Sequence, residues 1–180
     1  MERDMKFILI GYRGTGKTSV GKKVAAMLGM EFCDTDEMIL TRTGKTVAQL
    51  VETGGWELFR EKEREAVRSL PEGGQCIISL GGGAVLDREN IEELKRRKGV
   101  FLWLYADEET IRRRIGGDKN SPGQRPPLGG LGKSLRESIT ERTALYRGLA
   151  DFVIDTSDRD ADEIVERVCV FIKKTKAGDK

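Results

Sequence analysis

Short apolar runs alternate along the chain with longer segments in which apolar residues recur every three or four positions. "KFILI" (Lys6–Ile10) is apolar, partly β-branched and stopped by Gly11, the pattern of a buried strand. Val20, Val24, Met27 and Leu28 then follow helical spacing, predicting a helix over Lys17–Leu28 that Gly29 ends. "MEFCDTD" reads as a strand running into Asp34 and Asp36. The stretch Glu37–Leu70 reads as helix with breaks near Gly44 and at Gly54-Gly55. "CIISL" (Cys76–Leu80) is a second buried strand, cut by Gly81, Gly82 and Gly83. A helix from Asp87 to Lys98, the strand "GVFLWLYA" and a short helix over Asp107–Ile115 follow. After a break come a helix over Ser134–Ala150, the strand "DFVIDT" and a helix over Asp160–Lys174. Strands alternating with helices predict an α/β fold with a parallel sheet covered on both faces, in a single domain over 1–180.

The break is compositional. Gly116–Ser134, "GGDKNSPGQRPPLGGLGKS", is dense in Gly and Pro and has almost no apolar periodicity. A segment of this kind between periodic elements reads as a lid.

Composition narrows the function classes. Hydrophobic residues make up 38% of the 180 positions and charged residues 34%, an ordinary globular balance. The formal net charge of +2 gives no large basic footprint, so no nucleic-acid partner is expected. No apolar run nears the ~20 residues needed to cross a bilayer, and "MERDMKF" lacks the apolar core of a signal peptide. Cys33, Cys76 and Cys169 are far apart and odd in number, so buried thiols and a cytoplasmic location are expected. The chain has no histidine, which excludes imidazole bases and histidine–metal sites.

Gly11–Thr18, "GYRGTGKT", fits G-x-x-x-x-G-K-[ST] directly after a strand and before a helix. Glycines let successive N–H groups curl around an anion, and the helix brings its positive end to the same place. Lys17 adds a compact charge for the β- and γ-phosphates, and the Thr18 hydroxyl is suited to Mg²⁺. The loop is expected to hold a purine nucleoside triphosphate with Mg²⁺.

The acceptor must be read elsewhere. "NKxD" is absent, which weakens a GTPase reading, and "CIISL" ends in glycines rather than an acid. Asp34 and Asp36 face the ligand crevice together if their strand stays extended, one near Mg²⁺ and one near a hydroxyl proton. A helix-initiating turn, with Asp36 as its N-cap, explains them equally well. Arg60 and Glu63 lie three apart on one helix face. Gly81–Gly83 offer bare backbone at a strand end, Arg125 precedes two stiffening prolines, and Arg142 sits in the helical "ERTALYR".

Together "GYRGTGKT", "FCDTDEMI", "RTGKTVAQLVETGGWELFREKE", "SLGGGAV", "RPPL" and "ERTALY" resemble shikimate kinase across nearly the whole chain. The resemblance implies a three-layer α/β/α P-loop kinase fold with a central five-stranded parallel sheet and a mobile lid at about 116–132. It implies transfer of the γ-phosphate of MgATP to the 3-hydroxyl of shikimate, in chorismate and aromatic amino acid biosynthesis, by a cytoplasmic monomer. Lys17, Asp36 and Arg125 would be catalytic. Gly14, Thr15, Gly16, Lys17, Thr18, Ser19, Arg113, Arg125 and Arg159 would bind ATP. Asp36, Arg60, Glu63, Gly81, Gly82, Gly83 and Arg142 would bind the acceptor, Arg60 and Arg142 gripping its carboxylate and Glu63 orienting Arg60. Thr18 and Asp34 would hold Mg²⁺.

The lid departs from the family pattern: "RPP" stands where "RPL" is usual, and the segment is longer than is common. The adenine-side arginine is therefore open among Arg112, Arg113 and Arg114. The rival readings are a P-loop kinase of gluconate or of a nucleoside monophosphate, and a nucleotide-binding regulator without catalysis.

Overall fold

A computed structural model of the protein describes residues 4–117 and 134–178. Five strands, β1 (Lys6–Ile10), β2 (Glu31–Asp34), β3 (Cys76–Ser79), β4 (Gly99–Tyr105) and β5 (Phe152–Asp155), form one sheet in the order β2-β3-β1-β4-β5. Every pairing is parallel. The helices are α1 (Lys17–Leu28), α2 (Thr35–Thr43), α3 (Val47–Arg68), α4 (Arg88–Arg96), α5 (Glu108–Gly117), α6 (Leu135–Leu149) and α7 (Ala161–Ala177). The elements read from the apolar pattern are these. Arg125 and most of the Gly/Pro-rich segment lie outside the described residues.

The period-two geometry of a strand explains the three layers. Along β1, Phe7 and Leu9 join one core cluster with Val20 and Val24 of α1 and Ile164, Val168 and Ile172 of α7. Ile8 and Ile10 point the other way, into a second cluster with Val67 of α3, Leu94 of α4 and Tyr146 of α6. A central strand buried on both faces must be apolar throughout, which "KFILI" nearly is. Its one exception, Lys6, is fully buried. Its ammonium donates to the carbonyls of Gly73 and Gly74, both at 2.8 Å, fixing the loop that enters β3.

Two boundaries differ from the sequence reading. β2 stops at Asp34, and Asp36 lies in the first turn of α2 rather than on an extended strand. The N-cap is Asp34, whose Oδ1 accepts from the amides of Asp36 and Glu37. The carboxylate satisfies two otherwise orphaned helix donors, and this ends the strand. A single 3₁₀ turn, Ala84–Leu86, follows the glycine triplet. In α3 the expected break is a kink at Gly54 and Gly55, where Gly55 has φ 70° and ψ −176°.

The strands' C-terminal ends share one edge of the sheet, and the site residues gather there. The opposite edge is closed tightly at Gly99, where a Cβ would lie 2.7 Å from the Leu94 carbonyl oxygen and 2.5 Å from Ile8 Cδ1. Alanine in a strand gains roughly 0.5–1 kcal/mol over glycine, but overpacking costs about 1–3 kcal/mol. Gly99→Ala is therefore expected to lower stability by ~1–2 kcal/mol, read from the urea midpoint at unchanged slope. An unchanged or higher midpoint would show that the end of α4 can retreat.

Candidate active site

The loop between β1 and α1 is built to leave donors unspent. Gly11, Gly14 and Gly16 have φ of 146°, 82° and 91°, angles that side chains resist. α1 starts at Gly16 without a capping side chain and with no acid in its first turn. By contrast α2, α3, α4, α6 and α7 are capped by Asp34, Thr46, Asp87, Ser134 and Asp160. The start of α1 is thus free to hold an anion. Lys17, 8% exposed, folds back to donate to the carbonyls of Gly11 (2.9 Å) and Tyr12 (3.0 Å). Thr15 Oγ1 donates to the same Tyr12 carbonyl at 2.8 Å. Ser19 is exposed on the first turn of α1.

Thr18 and Asp34 meet at the mouth of this loop. The Thr18 hydroxyl donates to Asp34 Oδ2 at 2.7 Å, and Ser79 Oγ lies 3.4 Å from it. Asp34 is positioned by its other oxygen, which caps α2. A hydroxyl and a carboxylate are hard oxygen donors that fit Mg²⁺, an ion that keeps several waters and takes few protein ligands. Among the described residues no three or more Cys, Asp or Glu side chains gather to hold a metal by themselves.

The glycine triplet after β3 is the seam between two groups of side chains. On one side, a Cβ on Gly81 would lie 2.9 Å from Asp36 Oδ1 and 3.1 Å from Glu63 Oε1. One on Gly83 would lie 2.5 Å from Arg60 Nη2. Glycine is needed here for close approach, not for backbone conformation. Arg60 Nη1 donates to Glu63 Oε2, and its guanidinium lies over the rings of Phe59 (5.2 Å) and Trp56 (5.7 Å). On the other side, Tyr146 donates to the Gly82 carbonyl at 2.6 Å, and Arg142, one turn earlier on α6, lies 4.9 Å over the Tyr12 ring. A Cβ on Gly82 would sit 3.3 Å from the Gly11 carbonyl oxygen, so the triplet abuts the phosphate-type loop itself.

Burial dominates the electrostatics. Glu63 is 1% exposed, and its Oε1 has no hydrogen-bond partner among the described residues. Desolvation pushes its carboxyl up to about 7, against the pull of Arg60, and Asp36 and Asp87 add to the rise. Burial also raises the Tyr146 phenol, with Arg142 opposing.

At the third corner, Arg114 donates to the carbonyl and hydroxyl of Thr156 (2.6 and 3.1 Å) and to the Gly14 carbonyl at 3.3 Å. Of the three consecutive arginines it is Arg114, not Arg113, that reaches the loop. Arg113 is exposed, and Arg112 pairs with Glu108 on the surface of α5. Arg159 pairs with Glu163 along α7. The structure thus brings together Gly14–Thr18, Asp34, Asp36, Arg60, Glu63, Gly81–Gly83 and Arg142, shows no contact of Arg113 or Arg159 with them among the described residues, and does not describe Arg125.

The sequence does not single out Tyr12, Thr35, Ser79 or Tyr146, and it leaves Arg114 as one of three arginine candidates. Thr35, fully buried, accepts from the Gly81 amide at 2.9 Å and holds the triplet's first residue. Ser79 carried a signal, as a lone hydroxyl ending an apolar run. Tyr146 carried another, one helical turn after Arg142. Tyr12 stood at a variable position of the loop pattern and carried none.

The shikimate kinase family model matches residues 13–173. The shikimate kinase of Syntrophus aciditrophicus is 45% identical over 175 residues, covering 92% of this chain and 89% of the relative. The shikimate kinase of Pelotomaculum thermopropionicum is 41% identical over 169 residues, covering 93% and 95%. The solved shikimate kinase from Acinetobacter baumannii in complex with shikimate superposes with a TM-score of 0.84 at 32% identity, covering 97% of this chain and 96% of that one.

Glu63 yields a prediction with a definite sign. The folded chain holds a proton on Glu63 more tightly than the unfolded chain, whose value is near the ordinary 4.5. This stabilisation is complete below about pH 4.5 and is lost as pH rises to about 7. Its size is of order 3 kcal/mol. Glu63→Gln keeps a neutral side chain, so its stability relative to the native chain should climb through that window and then level off. Urea unfolding of both proteins from about pH 4.5 to pH 8 reads the difference. A difference that stays constant would mean that Glu63 ionises as easily folded as unfolded.

Proposed function

The chain belongs to the shikimate kinase family, and from that premise we propose that it transfers the γ-phosphoryl group of ATP to the 3-hydroxyl of shikimate, releasing ADP and shikimate 3-phosphate. One observation carries the proposal. The Gly81–Gly83 turn packs against the phosphate loop while Asp36, Arg60, Glu63 and Arg142 flank it, so an acceptor held there faces the terminal phosphate.

The backbone of Gly14–Gly16, with Lys17, Thr18 and Ser19, binds the triphosphate. Lys17 exchanges the Gly11 and Tyr12 carbonyls for phosphate oxygens. Thr18 and Asp34 hold Mg²⁺, which when bound offsets phosphate charge. Arg60 and Arg142 grip the acceptor carboxylate, as guanidinium groups with fixed donor forks do well. Glu63 fixes the angle of Arg60, and the amides of Gly81–Gly83 border the acceptor. The acceptor oxygen forms a bond to the γ-phosphorus as the bond to the β,γ-bridging oxygen breaks. The hydroxyl proton passes to the Asp36 carboxylate. Most of the acceleration comes from positioning and charge. Arg125 stabilises charge on the transferring group. Arg113 and Arg159, with Arg114 nearer the loop, border the adenine. The free thiols of Cys33, Cys76 and Cys169 suit the cytoplasm.

ADP release from MgATP is the direct test, with shikimate beside gluconate, quinate and a set of nucleoside monophosphates. A large rise with shikimate alone is expected. A rise with a different compound would keep the phosphate-transfer chemistry and remove the acceptor roles given to Asp36, Arg60 and Arg142. ATP binding without turnover of any acceptor would favour a nucleotide-binding regulator.

The two arginines at the ends of the reaction should fail differently. Arg60→Ala should chiefly raise the KM for shikimate, because a carboxylate clamp holds ground and transition states alike. Arg125→Ala should lose far more turnover than ATP affinity. An unchanged KM in the first, or equal losses in the second, would reverse the assignment.

A further inference from the structure

Tyr12 touches both halves of the site, and no role above uses its side chain. Its carbonyl accepts from Lys17 Nζ at 3.0 Å and from Thr15 Oγ1 at 2.8 Å. Its ring lies beneath the Arg142 guanidinium, 4.9 Å from ring centre to Cζ. Its hydroxyl donates to Ser138 Oγ at 3.1 Å. The side chain is 6% exposed, packed with Ala106, Ile111 and Leu135. Ser138, Arg142 and Tyr146 are spaced four apart, so α6 presents them along one face. The first two meet Tyr12 and the third meets the Gly82 carbonyl.

We propose that Tyr12 is a positioning residue: its ring holds the Arg142 guanidinium where an acceptor carboxylate can meet it, and its carbonyl ties that setting to Lys17 and the phosphate loop. This rests on the reading of Arg142 as an acceptor clamp. An aromatic face restrains a cation without competing for its N–H donors, so the Tyr12 ring holds Arg142 and leaves the donors not spent on Tyr146 for a carboxylate. The tie to the loop follows from Lys17. When phosphate draws the ammonium away, the Tyr12 carbonyl loses a charged partner, and the peptide that carries the ring adjusts. Acceptor binding, which fixes Arg142 from the other side, then biases the same peptide. By linkage the two effects are reciprocal.

The test compares Tyr12→Phe, which keeps the ring and loses the bond to Ser138, with Tyr12→Leu, which keeps apolar bulk and loses the ring face. A half-buried cation over an aromatic face is worth roughly a five- to tenfold change in binding. Tyr12→Leu should raise the KM for shikimate by about that factor, with a smaller fall in kcat, and Tyr12→Phe should restore most of it. In an Arg142→Lys background, where the flat guanidinium is gone, the effect of Tyr12→Leu should shrink to about twofold or less. The factor by which shikimate tightens a non-hydrolysable ATP analogue, read by calorimetry, should move towards one in Tyr12→Leu. An unchanged KM in Tyr12→Leu, equal losses in Phe and Leu, or full additivity with Arg142→Lys would overturn the proposal.

A second readout needs no substrate. The Arg142 Nε–H resonance, identified by its loss in Arg142→Lys, should carry a ring-current shift in the native chain and in Tyr12→Phe, and lose it in Tyr12→Leu. A resonance unmoved by Tyr12→Leu would also overturn the proposal. If the native chain turned over a different acceptor and not shikimate, the functional reading above would fail. The KM split would then be measured on that acceptor, and the Tyr12 proposal would stand or fall on it.

Discussion

Two strand-end turns come close enough at Gly82 that a single methyl would press inside ordinary contact distance of the Gly11 carbonyl, and the rest of the site is arranged around that approach. It exists because β1 and β3 are neighbours in a parallel sheet, in register from Lys6↔Cys76 to Leu9↔Ser79. Their loops leave from the same edge and must share space. Parallel strands also need long crossovers, and here the crossovers carry α1, α2 and α3 with the polar residues at their ends. In the proposed scheme, a phosphate loop and an acceptor turn that share a wall hold two reactants side by side before any chemistry. That is the entropic half of catalysis of a transfer reaction.

The second constraint is charge taken out of water. Glu63 is buried as deeply as the hydrophobic core, beside Asp36 and in contact with Arg60. Burial of a carboxylate is unfavourable by several kcal/mol unless well-placed partners offset it, and one guanidinium on one oxygen does not fully do so. A neighbourhood like this is not chosen for stability. It fixes the Arg60 fork in one orientation through a partner that cannot rotate into solvent. The glycines serve the same end. Gly83 lets the guanidinium lie against bare backbone, and Gly81 lets two carboxylates approach one strand end. Side chains at either place would separate the charges that the site collects.

Much of this was legible in the sequence, for identifiable physical reasons. Strands buried on both faces are apolar without interruption, so "KFILI", "CIISL" and "GVFLWLYA" could be read with no knowledge of pairing. The loop from Gly11 to Thr18 was legible because phosphate chemistry constrains each fixed position locally. Asp36 was harder, since alternation along a strand and a capped helix turn predict different directions for one residue. The outcome depended on the hydrogen bonds of Asp34, which no periodicity records. The choice among Arg112, Arg113 and Arg114 stayed open because consecutive residues on a helix differ in direction by about 100°, and which one faces the loop depends on how α5 is seated. Tyr12 and Ser138 lie 126 residues apart, and nothing in either stretch announces the other.

The moorings at the ends of the Gly- and Pro-rich segment bear on how Arg125 can act. α5, which leads into it, is tied to the phosphate loop by Arg114 on the Gly14 carbonyl, and a Cβ on Gly14 would lie 3.3 Å from Ile115 Cγ1. α6, which follows it, is tied to the same loop through Tyr12 and Ser138. Arg125 stands eleven residues after Arg114 and thirteen before Ser138 (125 − 114 and 138 − 125). At roughly 3.3–3.6 Å per extended residue, reach to the phosphates is not limiting from either side. What the moorings change is entropy. The closure penalty of a chain depends on the length between its fixed points, so anchoring both flanking helices beside the loop lowers the cost of the role proposed for Arg125. The remaining cost must be met by interactions made there. In the proposed scheme that interaction is with charge on the transferring phosphoryl group, because a guanidinium there contributes most where the barrier is highest.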